Sequence, residues 1–174
     1  MVIKEKHEVA IESYPFAESL NDNIKIDLSK SVLTRDKRNG DGGLTNVKAL
    51  QTDVITSVDD FPSVKFLFKW IRNNLPKKSR YFNYQITEFW VAKYFRGDYT
   101  ICHSHHPCSF SFVYFVQSPK GSSPLVFTTS GKQIKAKEGR VVIFSGEMKH
   151  HVPKNKCDDR ITLSGNVGMV EPHD

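Results

Sequence analysis

Apolar positions follow two different periods along this chain. Val64, Leu67, Phe68, Ile71 and Leu75 are spaced so that they share one face of a helix, which predicts an amphipathic helix over residues 64–75. Asp60 or Ser63 stands where an N-cap is expected, and Pro76 stops the helix. Its Phe and Trp residues read as core rather than as a binding stripe. From about residue 81 the period shortens. Residues 81–95, 109–117, 125–129, 140–144 and 160–167 are runs rich in Val, Ile, Tyr, Phe and Thr, separated by clusters such as Arg96-Gly97-Asp98 and Ser130-Gly131-Lys132. Strands at this spacing predict an antiparallel sandwich or barrel of jelly-roll character. Residues 1–60 are polar and punctuated, with Arg38-Asn39-Gly40-Asp41-Gly42-Gly43 the clearest loop signal. The expected class is therefore α+β: one domain over 1–174, with a helical and loop support region over 1–80 and a β core over 81–170.

Composition narrows the class without changing it. A length of 174 residues suits one domain, and 39% apolar with 12 Phe supports a packed core and excludes a disordered chain. No run approaches the roughly 18 apolar residues of a membrane helix, and the N-terminus lacks the apolar segment of a secretory signal. Three cysteines, Cys102, Cys108 and Cys157, make no disulfide framework, so a reducing, intracellular (cytoplasmic) setting is expected. The net charge of +6 is scattered, apart from Lys77-Lys78-Ser79-Arg80 and residues 149–156. It permits a nucleic-acid partner but does not favour one, because no clustered Arg and aromatic groove is visible.

Reactive side chains concentrate in Cys102-His103-Ser104-His105-His106. On a strand, His103 and His105 would share one face about 7 Å apart. They could then bind one metal if a third ligand came from His150 or His151, which as neighbours cannot both point into one site. Two bland readings stand beside this one. Such histidines are often surface or core residues, and Cys102 with Cys108 could form a structural zinc site, although their spacing does not match the usual knuckle.

The run Glu88-Phe89-Trp90-Val91-Ala92-Lys93-Tyr94-Phe95-Arg96-Gly97-Asp98-Tyr99, followed by the His103/His105 pair and Ser111-Phe112-Val113-Tyr114-Phe115, resembles the 2-oxoglutarate/Fe(II)-dependent oxygenase family of bacteria and phages, which is related to the prolyl 4-hydroxylases. Ser123-Pro124-Leu125-Val126-Phe127, residues 144–153 and Arg160-Ile161-Thr162-Leu163-Ser164-Gly165-Asn166 continue the likeness in order, over residues 85–167. The resemblance implies a double-stranded β-helix (jelly-roll, cupin-like barrel) with supporting N-terminal helices. Its ligands are Fe(II) and 2-oxoglutarate, with His103 as first iron ligand and His150 as the distal one. Arg160 would grip the distal carboxylate of 2-oxoglutarate through its two-donor fork, with a hydroxyl from Thr162 and the phenol of Tyr94. Asn166 would line the pocket or stabilise a turn, and Trp90 would be core. The implied activity couples decarboxylation of 2-oxoglutarate, using O2, to hydroxylation of a peptidyl (prolyl-like) or other small substrate.

The chain departs from the family pattern at three places. His105 stands where the usual triad has a carboxylate, so either three histidines hold the iron or His105 contacts substrate beside a two-ligand centre; the first reading is preferred. Asp98 sits at too great an offset to replace it. Phe112 stands where the family has Gly, and Ser145 where it has Pro, so Phe112 is expected to add bulk that narrows or closes the pocket. These departures keep two alternatives: a non-catalytic metal-binding β-barrel, structural or virion-associated, and a three-His thiol-dioxygenase-like enzyme, in which Arg160 and Thr162 would have no task. The loop at 36–45 reads as a surface segment ahead of a lid.

Overall fold

A computed structural model of the chain describes residues 7–35, 45–76 and 82–170. Residues 36–44 of the candidate lid and the basic cluster at 77–80 lie outside the described residues.

Four strands dominate: β5 (Asn83–Tyr94), β7 (Phe110–Gln117), β10 (Arg140–Ser145) and β12 (Arg160–Val170). Their apolar runs are nearly continuous because both faces are covered. Side chains alternate between faces of a strand, so each run divides into two sets. Phe89, Val91, Phe112, Tyr114, Val116, Val141, Ile143, Ile161 and Leu163 belong to one core cluster with the helices. Trp90, Ala92, Tyr94, Val113, Phe115, Val142 and Phe144 belong to a second, on the opposite face.

The helical layer is formed by α1 (Ala17–Ser29) and α2 (Lys65–Asn73). Helix α1 buries Leu20, Ile24 and Leu28, and its buried Asn21 accepts the Tyr114 hydroxyl at 2.6 Å. Helix α2 buries Leu67, Phe68 and Ile71, flanked by buried Val64 and Leu75. The expected cap is corrected: neither Asp60 nor Ser63 caps α2 through its side chain. The helix is entered through a 3-10 turn at Pro62–Val64, where proline's fixed φ suits a first turn. The Ser63 amide donates to Asp27 Oδ2 of α1 at 3.2 Å, which ties the two helices together. Trp70 is half-buried, edge-on to Tyr14 at 5.7 Å, whereas Phe66 is 75% exposed.

All strand pairs are antiparallel. The larger sheet runs β1-β10-β7-β12-β5-β4-β2, adding β1 (Val9–Ser13), β2 (Thr34–Arg35) and β4 (Leu50–Gln51). The smaller runs β3-β6-β11-β8-β9, from β3 (Val47–Lys48), β6 (Tyr99–His103), β8 (Leu125–Phe127), β9 (Gln133–Ile134) and β11 (His150–Val152). The N-terminal region thus adds strands to both sheets as well as the helices. From β5 to β12 the chain alternates between the sheets, except at the β8–β9 hairpin. The second apolar cluster fills the space between the sheets, joining Val47, Leu125, Phe127 and Val152 to the inner face of the larger one.

Phe112 lines the cavity between the sheets, as expected, without filling it. Its ring packs on the helical side, 5.7 Å from that of Phe68. It covers Gly165, where an added Cβ would lie 2.8 Å from the ring's Cε1 and Cζ atoms. A large residue at 112 is matched by the smallest one at its cross-strand partner 165.

Candidate metal centre

Strand β6 ends at His103, so His105 does not share a strand face with it. It lies in the following turn, whose backbone locks onto the β10–β11 connection. The His105 amide donates to Gly146 O at 2.7 Å, the Cys108 amide to His105 O at 2.8 Å, and the Gly146 amide to Ser109 O at 3.2 Å. A side chain at Gly146 would overlap the Cys108 carbonyl oxygen. This close approach folds the turn back and brings His105 Nε2 to 3.2 Å from His103 Nε2.

His150 arrives from β11, directly opposite His103 in register. One donor nitrogen from each of the three histidines lies within 4.8 Å of the others, the one such grouping among the described residues. Two of the rings have their tautomer set by the backbone. His103 Nδ1–H donates to Ile101 O at 2.8 Å and His150 Nδ1–H to Met148 O at 2.9 Å. A carbonyl can only accept, so in the neutral form of each ring the lone pair sits on Nε2, the arrangement a metal-binding imidazole requires. Burial, reinforced by the charge of neighbouring His103, pushes the His150 pKa down to about 4 and keeps the ring neutral. Phe144 packs edge-on against it at 4.8 Å, and the Trp90 ring lies 5.8 Å from that of His105.

Strand alternation sends the neighbouring residues to the other face. His151 Nδ1 lies 3.0 Å from Thr128 Oγ1, which is 3.2 Å from Cys102 Sγ. His150, not His151, faces the cluster, and all three cysteines are free thiols outside it. Asp98 serves a turn: it accepts from Arg35 Nη1 at 2.6 Å, Arg35 Nη2 at 3.2 Å and the Phe95 amide at 2.8 Å.

A cationic end lies beyond the histidines. Arg160, opposite Tyr94 in register, is 1% exposed. Its guanidinium carbon is 4.4 Å from the Tyr94 ring centroid and 5.6 Å from that of Phe115. Its Nε and Nη1 have no hydrogen-bond partner. Burial lowers its pKa, and nearby Tyr94 opposes that shift. The Tyr94 hydroxyl is within 2.8 Å of Thr100 Oγ1. Arg160, Tyr94, Thr100, Thr162, Ser164, Trp90 and the three histidines line one cavity between the sheets. Asn166 shares the strand face of Arg160 but lies outside the lining, and its amide is engaged by Glu88 and Ser111. Thr100 lies outside every motif, and Ser164 and Gly146 fall within the resemblance without a role of their own. Only the register of β6 and β12 and the turn around Gly146 bring them to the site.

The donor set suits the groups that the sequence resemblance implies. Three convergent imidazoles make a site for a borderline divalent metal such as iron. A buried guanidinium with unsatisfied N–H groups calls for an anion, and its fork matches a carboxylate.

No protein-family profile matches this chain and no curated protein matches it, but solved structures do. An oxidoreductase of the 2OG-Fe(II) oxygenase family from Burkholderia pseudomallei aligns with a TM-score of 0.69 at 12% identity, over 92% of this chain and 84% of its own. The viral collagen prolyl hydroxylase of Paramecium Bursaria Chlorella virus-1, in its 2OG complex, aligns with a TM-score of 0.64 at 14% identity, over 91% and 94%. A Trichoplax adhaerens prolyl hydroxylase, in complex with a hypoxia inducible factor oxygen degradation domain peptide fragment, gives 0.63 at 13% identity, over 91% and 82%. The chain thus has the fold of the 2-oxoglutarate/Fe(II) oxygenases, as built in the prolyl hydroxylases.

Proposed function

We propose that this protein is an Fe(II)- and 2-oxoglutarate-dependent dioxygenase that hydroxylates a peptidyl or other small substrate. The observation that carries the reading is Arg160: a fully buried cation with unsatisfied donors, in the same cavity as three convergent histidines. A purely structural barrel gains nothing from burying an uncompensated charge, which is costly. The alternation of strands between sheets suits a double-stranded β-helix, and the helices α1 and α2 support its larger sheet.

In this reading His103, His105 and His150 hold the metal, and the backbone bonds at Ile101 and Met148 keep the rings oriented. Arg160 binds the distal carboxylate of 2-oxoglutarate, aided by the Thr162 hydroxyl and the Tyr94 phenol, which Thr100 orients. Trp90, Val113, Leu125 and Phe144 wall the cavity and exclude water. When bound, iron and 2-oxoglutarate supply the activation of O2 and the oxidation of a C–H bond. Among the described residues no carboxylate joins the histidine cluster, so the cosubstrate dianion would offset the metal charge, and each should tighten the other's binding. A peptide substrate is the first choice, supported by the Trichoplax protein that binds a peptide fragment. Anaerobic titration with Fe(II) and 2-oxoglutarate tests the proposal: a visible charge-transfer band should form, and His150→Ala should abolish it while His151→Ala retains it. No band at saturating ligand refutes the reading. A band without succinate release in air favours the non-catalytic metal-binding barrel.

A further inference from the structure

The cavity-side face of β5 and β12 changes character along its length. From the pair Arg160–Tyr94 it proceeds through Thr162–Ala92 and Ser164–Trp90 to Asn166–Glu88. Three same-face steps of a strand cover roughly 20 Å. Glu88 therefore stands far from Arg160 and one step beyond Trp90, whose ring neighbours that of His105. The charge of Glu88 is felt at Cys108, whose thiol is pushed up by burial first and by this carboxylate second, so Glu88 lies beside the turn that carries His105.

The carboxylate is half-buried and held in place. Its Oε1 accepts from Asn166 Nδ2 at 2.6 Å, and Asn166 Oδ1 accepts from Ser111 Oγ at 2.8 Å. Asn166 and Ser111 are 2% and 1% exposed, so the support is rigid and dry. None of the ion pairs among the described residues includes Glu88, in a chain with 25 Lys and Arg. The two ends of the face therefore carry opposite charges, a cation suited to the cosubstrate and, one step beyond Trp90 and just outside the cavity lining, an oriented anion.

We infer that Glu88, positioned by Asn166 and Ser111, selects substrates that present a cationic side chain, lysyl or arginyl, beside the metal centre. The inference rests on the proposed oxygenase reading and names its substrate class. An oriented carboxylate is a charge-assisted acceptor for an ammonium or guanidinium group, and partial burial strengthens that pairing relative to water. The Arg160 end, reserved for a carboxylate, repels the same group, so substrate and cosubstrate cannot exchange places.

The test is binding under anaerobic conditions to protein loaded with Co(II) and 2-oxoglutarate. The probes are Nα-acetyl-lysine methylamide and Nα-acetyl-arginine methylamide, against their neutral isosteres with norleucine and citrulline. The wild type should bind each cationic probe at least tenfold more tightly than its isostere. Glu88→Gln, which keeps an oxygen for Asn166, should reduce that ratio to below threefold with Co(II) and 2-oxoglutarate binding unchanged. Asn166→Ala should reduce it partly. Equal binding of charged and neutral probes by the wild type, or a ratio that survives Glu88→Gln, overturns the inference. The same titration on metal-free protein separates the two proposals. Failure to bind Co(II) and 2-oxoglutarate sinks the oxygenase reading; the Glu88-dependent preference is then read on the metal-free protein, where its absence sinks this inference too.

Discussion

Replacing Arg160 by Met should make the ligand-free protein more stable while removing its response to 2-oxoglutarate. The guanidinium is 1% exposed and leaves two N–H donors unsatisfied. Each such donor costs about 1–3 kcal/mol. Its position over Tyr94 and Phe115 returns about 2 kcal/mol, the value of a desolvated cation–π contact. Methionine fills a similar length of cavity with no polar group to satisfy, so Arg160→Met should gain about 2 kcal/mol, within a range of about 0–4 kcal/mol. For a chain of this size, each kcal/mol moves Tm by about 2–4 °C. The wild type should be stabilised by about 2.7 kcal/mol at 2-oxoglutarate concentrations a hundredfold above Kd, and the variant not at all. The two melting curves should therefore change order when cosubstrate and metal are added. Thermal unfolding of both proteins, with and without ligand, checks this. A variant less stable than wild type without ligand by more than about 1 kcal/mol, or equally stabilised by 2-oxoglutarate, refutes the assignment of Arg160 as an anion anchor.

Three further outcomes follow from the same geometry. His150 stays neutral in the folded state down to about pH 4, while in the unfolded chain it protonates near pH 6.5. Metal-free protein should therefore lose about 3 kcal/mol of stability as the pH falls from 6.5 to 4 and no more from this group below that; in denaturant titrations the stabilities of wild type and His150→Phe should change with different pH slopes in that window alone. Gly146→Ala pushes a methyl into the Cys108 carbonyl and should displace His105. Its Co(II) affinity should fall to that of His105→Ala, with far-UV circular dichroism unchanged, and wild-type affinity would dismiss the backbone lock. Phe112→Ala should cost about 3–5 kcal/mol, as for a buried aromatic ring, and leave Co(II) and 2-oxoglutarate binding intact. Enhanced binding would show that its ring restricts the cavity it lines.

Much of the architecture is legible in local pattern. The strands at 83–94, 110–117, 140–145 and 160–170 announce themselves through dense Val, Ile, Phe and Tyr, and α2 through its apolar spacing. β6 and β11 do not, because Tyr-Thr-Ile-Cys-His and His-His-Val are short and half polar. Their register, not their composition, sets His103 opposite His150. The choice between His150 and His151 needed only the knowledge that neighbours on a strand face opposite ways, plus a partner for each face.

The linear chain thus specified the residue types of the site, their order and the two-residue alternation that separates Arg160 and Thr162 from Ile161 and Leu163. Alternation defines two faces but does not say which one meets the helices and which the second sheet. That assignment came from packing, and it set the Phe112 ring against Phe68 and Gly165, at the border of the pocket. Convergence of His105 likewise depends on a backbone contact between residues 105–109 and Gly146, which side-chain pattern cannot encode. Whether Arg160 has a counter-ion is a property of everything within a few ångströms of it, so its isolation, the strongest functional signal in the molecule, exists only once the chain is folded.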